Sequence, residues 1–590
     1  MRRIPLALLS AALLSLFPLA GNAQQGTQPQ TRSPSQAQPG ARLQPISLAG
    51  RYLAARVGEQ DHDYDVAADQ MDQALALTPN DPEMIYAVFR LRMYAGRIDQ
   101  AALLAPAVLA TRPGDGFANL VLAVEAIKKG DYKGAERQLG RIGAENQLGA
   151  LREYVMAWLK AGEKDFAAAR AHLARLKPAA GERAEAPALV IEAQIDELAG
   201  DKAAAEAKYR RAMTLDRNGL RTTIAVADGL RRLGKDADAR ELLKNYAEKY
   251  SDAVVVDALI APNAPMPKPP SPAAGIAEIL FDIGGILAAD QRNQRTDLAL
   301  IFYQLAATLK PDQDFAWLMI AGLYEQFRQV PKAVAALGKI GPNSPLYWQA
   351  RLRTAALDAQ EDKLDQAVSR LRALVAEKPA RIDAALTLAD LLRTKERYAD
   401  AVTAYDTAIS RLRNPEERHW QVYFGRGIAL ERTKQWPKAE LDMKKALELS
   451  PEQPYVLNYL GYSWIDQGMK LEEGMKMLER ATELRPDDGS ITDSVGWAFY
   501  RLGQYDKAVD WLERATEQKG EDPTIAEHLG DAYWHVGRRR EARFQWERAS
   551  NQKPDKDRVP IIQDKLVNGL NPGNDKPSVY EKAADSKQGG

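Results

Sequence analysis

Of the five histidines in this chain of 590 residues, His528 and His535 alone stand close enough in sequence to share a task. Their seven-residue separation places them on one helix about two turns apart. Glu527 and Asp531 lie beside and between them, completing a nitrogen and carboxylate set of the kind a borderline metal accepts. A solvated helix face accounts for the same four residues, so no metal ligands are assigned. His62, His172 and His419 are isolated, and the chain has no cysteine. Thiolate nucleophiles, disulfides and Cys-ligated zinc or iron–sulfur centres are therefore excluded. No glycine-rich phosphate loop, nucleophile elbow or zinc-protease signature occurs. The carboxylate pair Asp487-Asp488 falls in a turn, where it favours the start of the next helix. The expectation is a protein that is not an enzyme, with no catalytic, cofactor-binding or metal residues and no cofactor. The remaining chemistry is that of holding: seven of the ten tryptophans lie between Trp420 and Trp546. Tyr and Trp join a large apolar area to a hydrogen-bonding tip, which suits anchoring a peptide or stacking a sugar ring.

The elements that position these residues announce themselves by repetition. A small residue within an amphipathic helix recurs at Ala67, Ala101, Ala135, Ala169, Ala205 and Ala239, then at Ala299, Ala333, Ala367, Ala401, Ala439, Gly474, Ala508 and Ala542. Most intervals are 34 residues. The segment Gly496, Phe499, Gly503, Tyr505, Ala508, Leu512 and Ala515 is matched one period later by Gly530, Tyr533, Gly537, Arg539, Ala542, Trp546 and Ala549. Small residues at the Gly496 and Ala508 places let two helices approach closely, and the larger ones fill the space left. Gly503 and Gly537 end the first helix where a left-handed backbone is needed. Pro79, Pro113, Pro311, Pro379, Pro451, Pro486 and Pro554 follow the second helix, where a missing N–H does least harm.

Over most of Leu48 to Leu570 this pattern resembles the tetratricopeptide repeat, whose unit is 34 residues. The resemblance implies an all-α, right-handed superhelical solenoid of about fourteen helix-turn-helix units. The chain is expected to form two blocks, 48–260 and 276–570, because the interval from Ala239 to Ala299 carries a proline run within a joint at 261–275. In such a superhelix the first helix of each unit lines the concave face. Counted from Gly427, Gly461, Gly496 and Gly530, the outward positions of the last units give the expected partner-binding groove. It comprises Asn458, Tyr462, Asp493, Trp497, Tyr500, Arg501, Glu527, Asp531, Trp534 and His535, and is aromatic and acidic together. As groove side chains, Trp497 and Trp534 are expected to be replaceable at little cost in stability. Relatives that capture a terminal carboxylate use Lys and Asn in this groove; Asp493 and Glu527 would repel that group, so this type is disfavoured.

Lys plus Arg equals Asp plus Glu at 80 each, which removes the electrostatic footprint of a nucleic-acid or anionic-lipid binder. Arg2 and Arg3, an apolar run from Ile4 to Ala20 and the small-residue site Gly21-Asn22-Ala23 read as an export signal over 1–23, cleaved before Gln24. About 17 apolar residues are short for a span, and no later apolar stretch is expected to cross a bilayer. Gln24, where a lipoprotein needs cysteine, argues against a lipid anchor, so the mature protein is expected to be periplasmic or secreted. Residues 24–47 read as a flexible leader and 571–590 as a disordered tail. The segments Leu460-Gly461-Tyr462, Asp493 to Gly503 and Glu527 to Asp531 are similar to large exported bacterial repeat proteins. Among these is the outer-membrane adaptor of a carboxyl-terminal processing protease. That resemblance implies a protein or peptide partner, a periplasmic peptidase or cell-wall hydrolase in particular. The alternative is a periplasmic scaffold for exopolysaccharide export with a glycan- or porin-binding groove. The oligomeric state is left open.

Overall fold

The computed structural model describes residues 47–576 apart from 144–147, 177–184, 250–255, 257–258, 262–263, 290–295 and 362. The segments read as an export signal (1–23) and as a leader to residue 46, with Pro262-Asn263 and residues 577–590, lie outside the described residues. Among the described residues there are twenty-nine α-helices and no strand, the all-α repeat class expected. Twenty-eight of them fall into fourteen successive pairs, and Arg558–Asn568 closes the series.

Every small residue that sets the period lies on the second helix of its pair and is buried, the alanines completely. The reason is steric. Where Gly461 and Gly474 face each other, an added Cβ would come within 2.7 and 2.9 Å of the opposite backbone carbonyl. First helices end in a left-handed residue, as expected at Gly503 and Gly537, with φ of 72° and 82°. His62, Lys164, Arg328, Glu396 and Lys434 adopt the same conformation despite their side chains. Aspartates start many helices. Asp81, Asp115, Asp131, Asp165, Asp201, Asp488 and Asp522 each accept a hydrogen bond from a first-turn amide, satisfying donors a helix leaves open.

The chain divides into two compact units, Met1–Leu357 and Asp358–Gly590. The expected division at 261–275 does not hold, because one apolar core runs without a break from Ala55 to Leu357. Within the first unit the helices Pro272–Ala289 and Thr296–Leu309 form a hairpin that lies against first helices of the preceding pairs: Pro82–Tyr94, Gly116–Lys128 and Gly149–Gly162. Gly275 sits on the face of Trp158, where a Cβ would come within 2.0 Å of the indole. Phe302 meets Phe117 at 6.0 Å, and Gln304 Nε2 donates to the Tyr94 carbonyl at 3.2 Å. Arg221, on the first helix Leu220–Arg232, pairs with both Glu278 and Asp282 and covers the Phe281 ring. The proline run is tied down as well: the Arg231 guanidinium donates to the carbonyls of Ala264 and Pro265 at 2.9 and 3.0 Å. The inner wall of this unit is thus filled by its own chain.

Pro272–Ala289 is long and apolar enough to cross a membrane, with a mean hydropathy of 1.5 over 18 residues. In this structure it packs against other helices and carries the Glu278 and Asp282 partners of Arg221.

Candidate functional site

In the second unit the first helices Pro454–Asp466, Gly489–Arg501 and Pro523–His535 lie side by side and present the ten residues expected to line a groove. All but His535 are shielded from solvent, contrary to expectation. Tyr500 is fully buried, Glu527, Asp531 and Arg501 are 2% exposed, and Trp497 and Asp493 are 4% and 7% exposed. Asn458, Tyr462 and Trp534 are partly buried, and His535 is the most exposed of the set. The Asn458 side-chain oxygen and the Trp497 indole nitrogen are buried atoms without a hydrogen-bond partner in the protein.

Two layers account for the burial. The first is a ladder of rings. His528 stacks on Trp497 at 3.9 Å, Trp497 on Tyr500 at 4.5 Å, and His535 on Tyr505 at 4.0 Å, while Tyr500 meets Tyr505 and His535 edge-on. The expectation that Trp497 is dispensable for stability is therefore corrected: it is part of the apolar cluster that holds the last pairs together.

The second layer is the stretch 558–576, of which 571–576 fall in the tail expected to be disordered. Lys565, on the closing helix Arg558–Asn568, is 1% exposed and lies 2.7 Å from Glu527 and 2.6 Å from Asp531. The Arg558 Nε donates to Glu527 at 3.1 Å, and the Trp546 indole donates to Asp531 at 2.8 Å. Gly569 lies on the Trp534 ring, so close that a Cβ would come within 2.2 Å. Asn571-Pro572-Gly573-Asn574 then makes a turn: Asn571 and Asn574 both donate to Asp564, and Asn574 also donates to the Gly569 carbonyl. The turn delivers Asp575 to the ring ladder, where it accepts from the Tyr500 hydroxyl at 2.5 Å and from His535 Nε2 at 3.1 Å. Lys576 Nζ reaches Asp466 at 3.1 Å.

The electrostatics follow. Burial disfavours the charge on His528, but Asp493 at 3.0 Å, with Glu527 and Asp531 nearby, outweighs it and raises the pKa above 6.5. Burial likewise opposes charge on Lys565, yet Asp531 and Glu527 raise its pKa. For Asp575, burial is outweighed by the His535 and Tyr500 hydrogen bonds, which hold its carboxyl below the usual range. Asp493 and Glu527 are each paired within the chain, Asp493 with His528 and Glu527 with Lys565 and Arg558. His528 and His535 turn to different carboxylates, Asp493 and Asp575. No metal-holding cluster of three or more ligands occurs among the described residues.

The sequence pointed to Trp497, Tyr500 and His535 but not to their stacking with His528 and Tyr505, nor to what covers them. Arg558, Asp564, Lys565, Asp575 and Lys576 were legible only through weaker signals: Ile562 and Leu566 at helical spacing and the Asn-Pro-Gly-Asn turn.

This is an array of helical hairpins whose last first helices form a wall on which residues 569–576 of the same chain are seated. The family model of the tetratricopeptide repeat matches residues 352–414, 386–454, 470–524 and 496–556. A curated relative, the TPR repeat-containing protein PA4667 of Pseudomonas aeruginosa, is 26% identical over 192 residues. The match covers 32% of this chain and 32% of that protein, so it spans about a third of the relative's length. Among solved structures, the APC/C hetero-tetramer Cut9–Hcn1 is similar with a TM-score of 0.37 and 15% identity, over 88% of this chain and 96% of that one. YrrB, a TPR protein with an unusual peptide-binding site, is similar with a TM-score of 0.25 and 20% identity, over 33% of this chain and 97% of its own. The chain carries tetratricopeptide repeats, and such repeats are protein-binding scaffolds.

Proposed function

We propose that the protein is an exported scaffold that holds a segment of a partner protein along the first helices of its second unit and performs no catalytic step of its own. The observation that carries this reading is the seating of residues 569–576. Side chains from three successive first helices, Asp466, Tyr500 and His535 with Trp534, hold one short piece of chain. A wall that grips its own peptide has the shape and chemistry to grip another's. Upstream, on the first helices Asp383–Thr394 and Trp420–Arg432, Leu386, Phe424 and Ile428 are half-buried, and in this reading their exposed parts give apolar footing for a longer guest. The export signal read over 1–23 and the likeness to exported adaptors make a periplasmic peptidase or cell-wall hydrolase the partner class.

The test is a photo-crosslinking side chain introduced at Phe424 on the wall, and separately at Leu441, an exposed residue on a second helix. Periplasmic material is then irradiated and the adducts identified by mass spectrometry. A partner crosslinked from position 424 and absent from 441 is the expected result. Equal labelling from both positions, or none from either, would overturn the reading.

A further inference from the structure

The segment Asn571–Lys576 does more than close the end of the fold: it occupies the wall as a ligand would. Asp575 supplies a carboxylate whose two oxygens take one donor each, from Tyr500 and His535. The next residue, Lys576, supplies a cation to Asp466 on the neighbouring first helix. Both donors are braced by neighbouring rings, because Tyr500 stacks on Trp497 and His535 on Tyr505, with interplanar angles of 6° and 7°. The turn that presents this pair is itself braced by Asp564 and by the Gly569 carbonyl, so the segment is held ready in one conformation.

Resting on the scaffold reading above, we propose that Asp575-Lys576 is a built-in competitor. On this view the wall recognises an acidic residue followed by a basic one in an extended segment of a partner protein, and that segment must displace the chain's own end to bind. A tethered competitor acts at an effective concentration of roughly millimolar, so a free peptide of the same chemistry meets a site that is closed most of the time. Its apparent affinity falls by the fraction of molecules that are open. The contacts that hold the end in place are polar and few, which allows exchange.

The test uses the full chain and a fluorescein-labelled peptide of the sequence Asn571–Lys576, followed by fluorescence anisotropy. The variant carrying Asp575→Ala and Lys576→Ala should bind the peptide at least tenfold more tightly than the unaltered chain. Adding Tyr500→Phe to that variant should abolish the gain, with the helical circular dichroism unchanged, and so should replacing the peptide's Asp by Asn. Equal affinity for the closed and opened chains overturns the proposal, as does binding that ignores the Asp-to-Asn change. The two readings fail separately. Peptide binding to the opened chain with no partner crosslinked from position 424 sinks the scaffold and leaves the competitor standing. A partner crosslinked equally well in the closed and opened chains does the reverse.

Discussion

Replacing Lys565 by Met isolates the contribution of a cation sealed beneath the end of the second unit. The ammonium is 1% exposed and serves two carboxylates that are themselves 2% exposed, so water cannot take over when it is removed. Taking one partner from a buried pair costs about 3–5 kcal/mol, because the charge left behind is neither solvated nor neutralised. Here the two carboxylates differ. Glu527 keeps the Arg558 guanidinium, with Nε at 3.1 Å, whereas Asp531 keeps only the Trp546 indole donor at 2.8 Å. The loss therefore falls chiefly on Asp531 and belongs at the lower end, about 3 kcal/mol. Repeat arrays lose structure locally, so the reading should come from hydrogen exchange across Arg558–Asn568 and Pro523–His535 in preference to a global midpoint. A loss of about 3 kcal/mol corresponds to exchange faster by about a hundredfold or more. Adding Asp531→Asn to the Lys565→Met chain removes the stranded charge and should restore much of the protection. Exchange within about threefold of the original, or no recovery from the second change, would refute the argument that Lys565 is the counterion on which this end depends.

Three further outcomes follow from the same contacts. Trp497→Ala removes the ring between His528 and Tyr500 and should cost about 3–5 kcal/mol by urea denaturation of the second unit; an unchanged midpoint would return Trp497 to the open groove. His528 has a raised pKa, so its contribution to stability is complete below 6.5 and fades as pH climbs through the folded value. The stability gap between the native chain and His528→Gln should shrink on the alkaline side; a gap that widens there contradicts the assigned pairing with Asp493. Arg221→Met strands Asp282, while Glu278 keeps Lys310 and Gln313, and should loosen Pro272–Ala289 by about 1.5–3 kcal/mol; exchange there equal to that of the native chain would show that apolar packing alone seats this helix.

The fold was legible because its signal is one of exclusion. A place where two helix backbones touch admits only a small side chain, and that constraint returns every turn of the repeat whatever the rest of the sequence does. The left-handed turn was legible at Gly503 and Gly537 and silent at Lys164, Arg328 and Glu396, where the strain of a side chain is tolerated because the surrounding pair fixes the backbone. Position within the repeat correctly gathered Trp497, Tyr500, Asp531 and His535 on one wall. What position could not say is whether the wall is bare. Counting residues along a helix assigns a direction to each side chain, and coverage depends on distant parts of the chain. The helix Pro272–Ala289 reads as one more hairpin member by its spacing, and Lys565 as one more surface lysine by its composition.

The two fillings differ in kind, and the difference bears on which wall can accept a guest. In the first unit the filler is a pair of helices that bury Ile276, Leu280, Phe281, Tyr303 and Leu305 almost completely. Buried side chains of this size contribute about 1.5–3 kcal/mol each, so removing that hairpin would dismantle the core it shares with the preceding pairs. In the second unit the seal has an inner and an outer part. Lys565 and Ile562 are buried and belong to the fold, whereas Asp575 and Lys576 add three side-chain contacts and little apolar area. A net gain of about 1.5–3 kcal/mol for a hydrogen bond to a charged group is enough to keep such an end seated and small enough for a partner to outbid. On the competitor reading, exchange at the wall of the second unit proceeds without unfolding, and the boundary between permanent and exchangeable chain lies between Gly569 and Asp575.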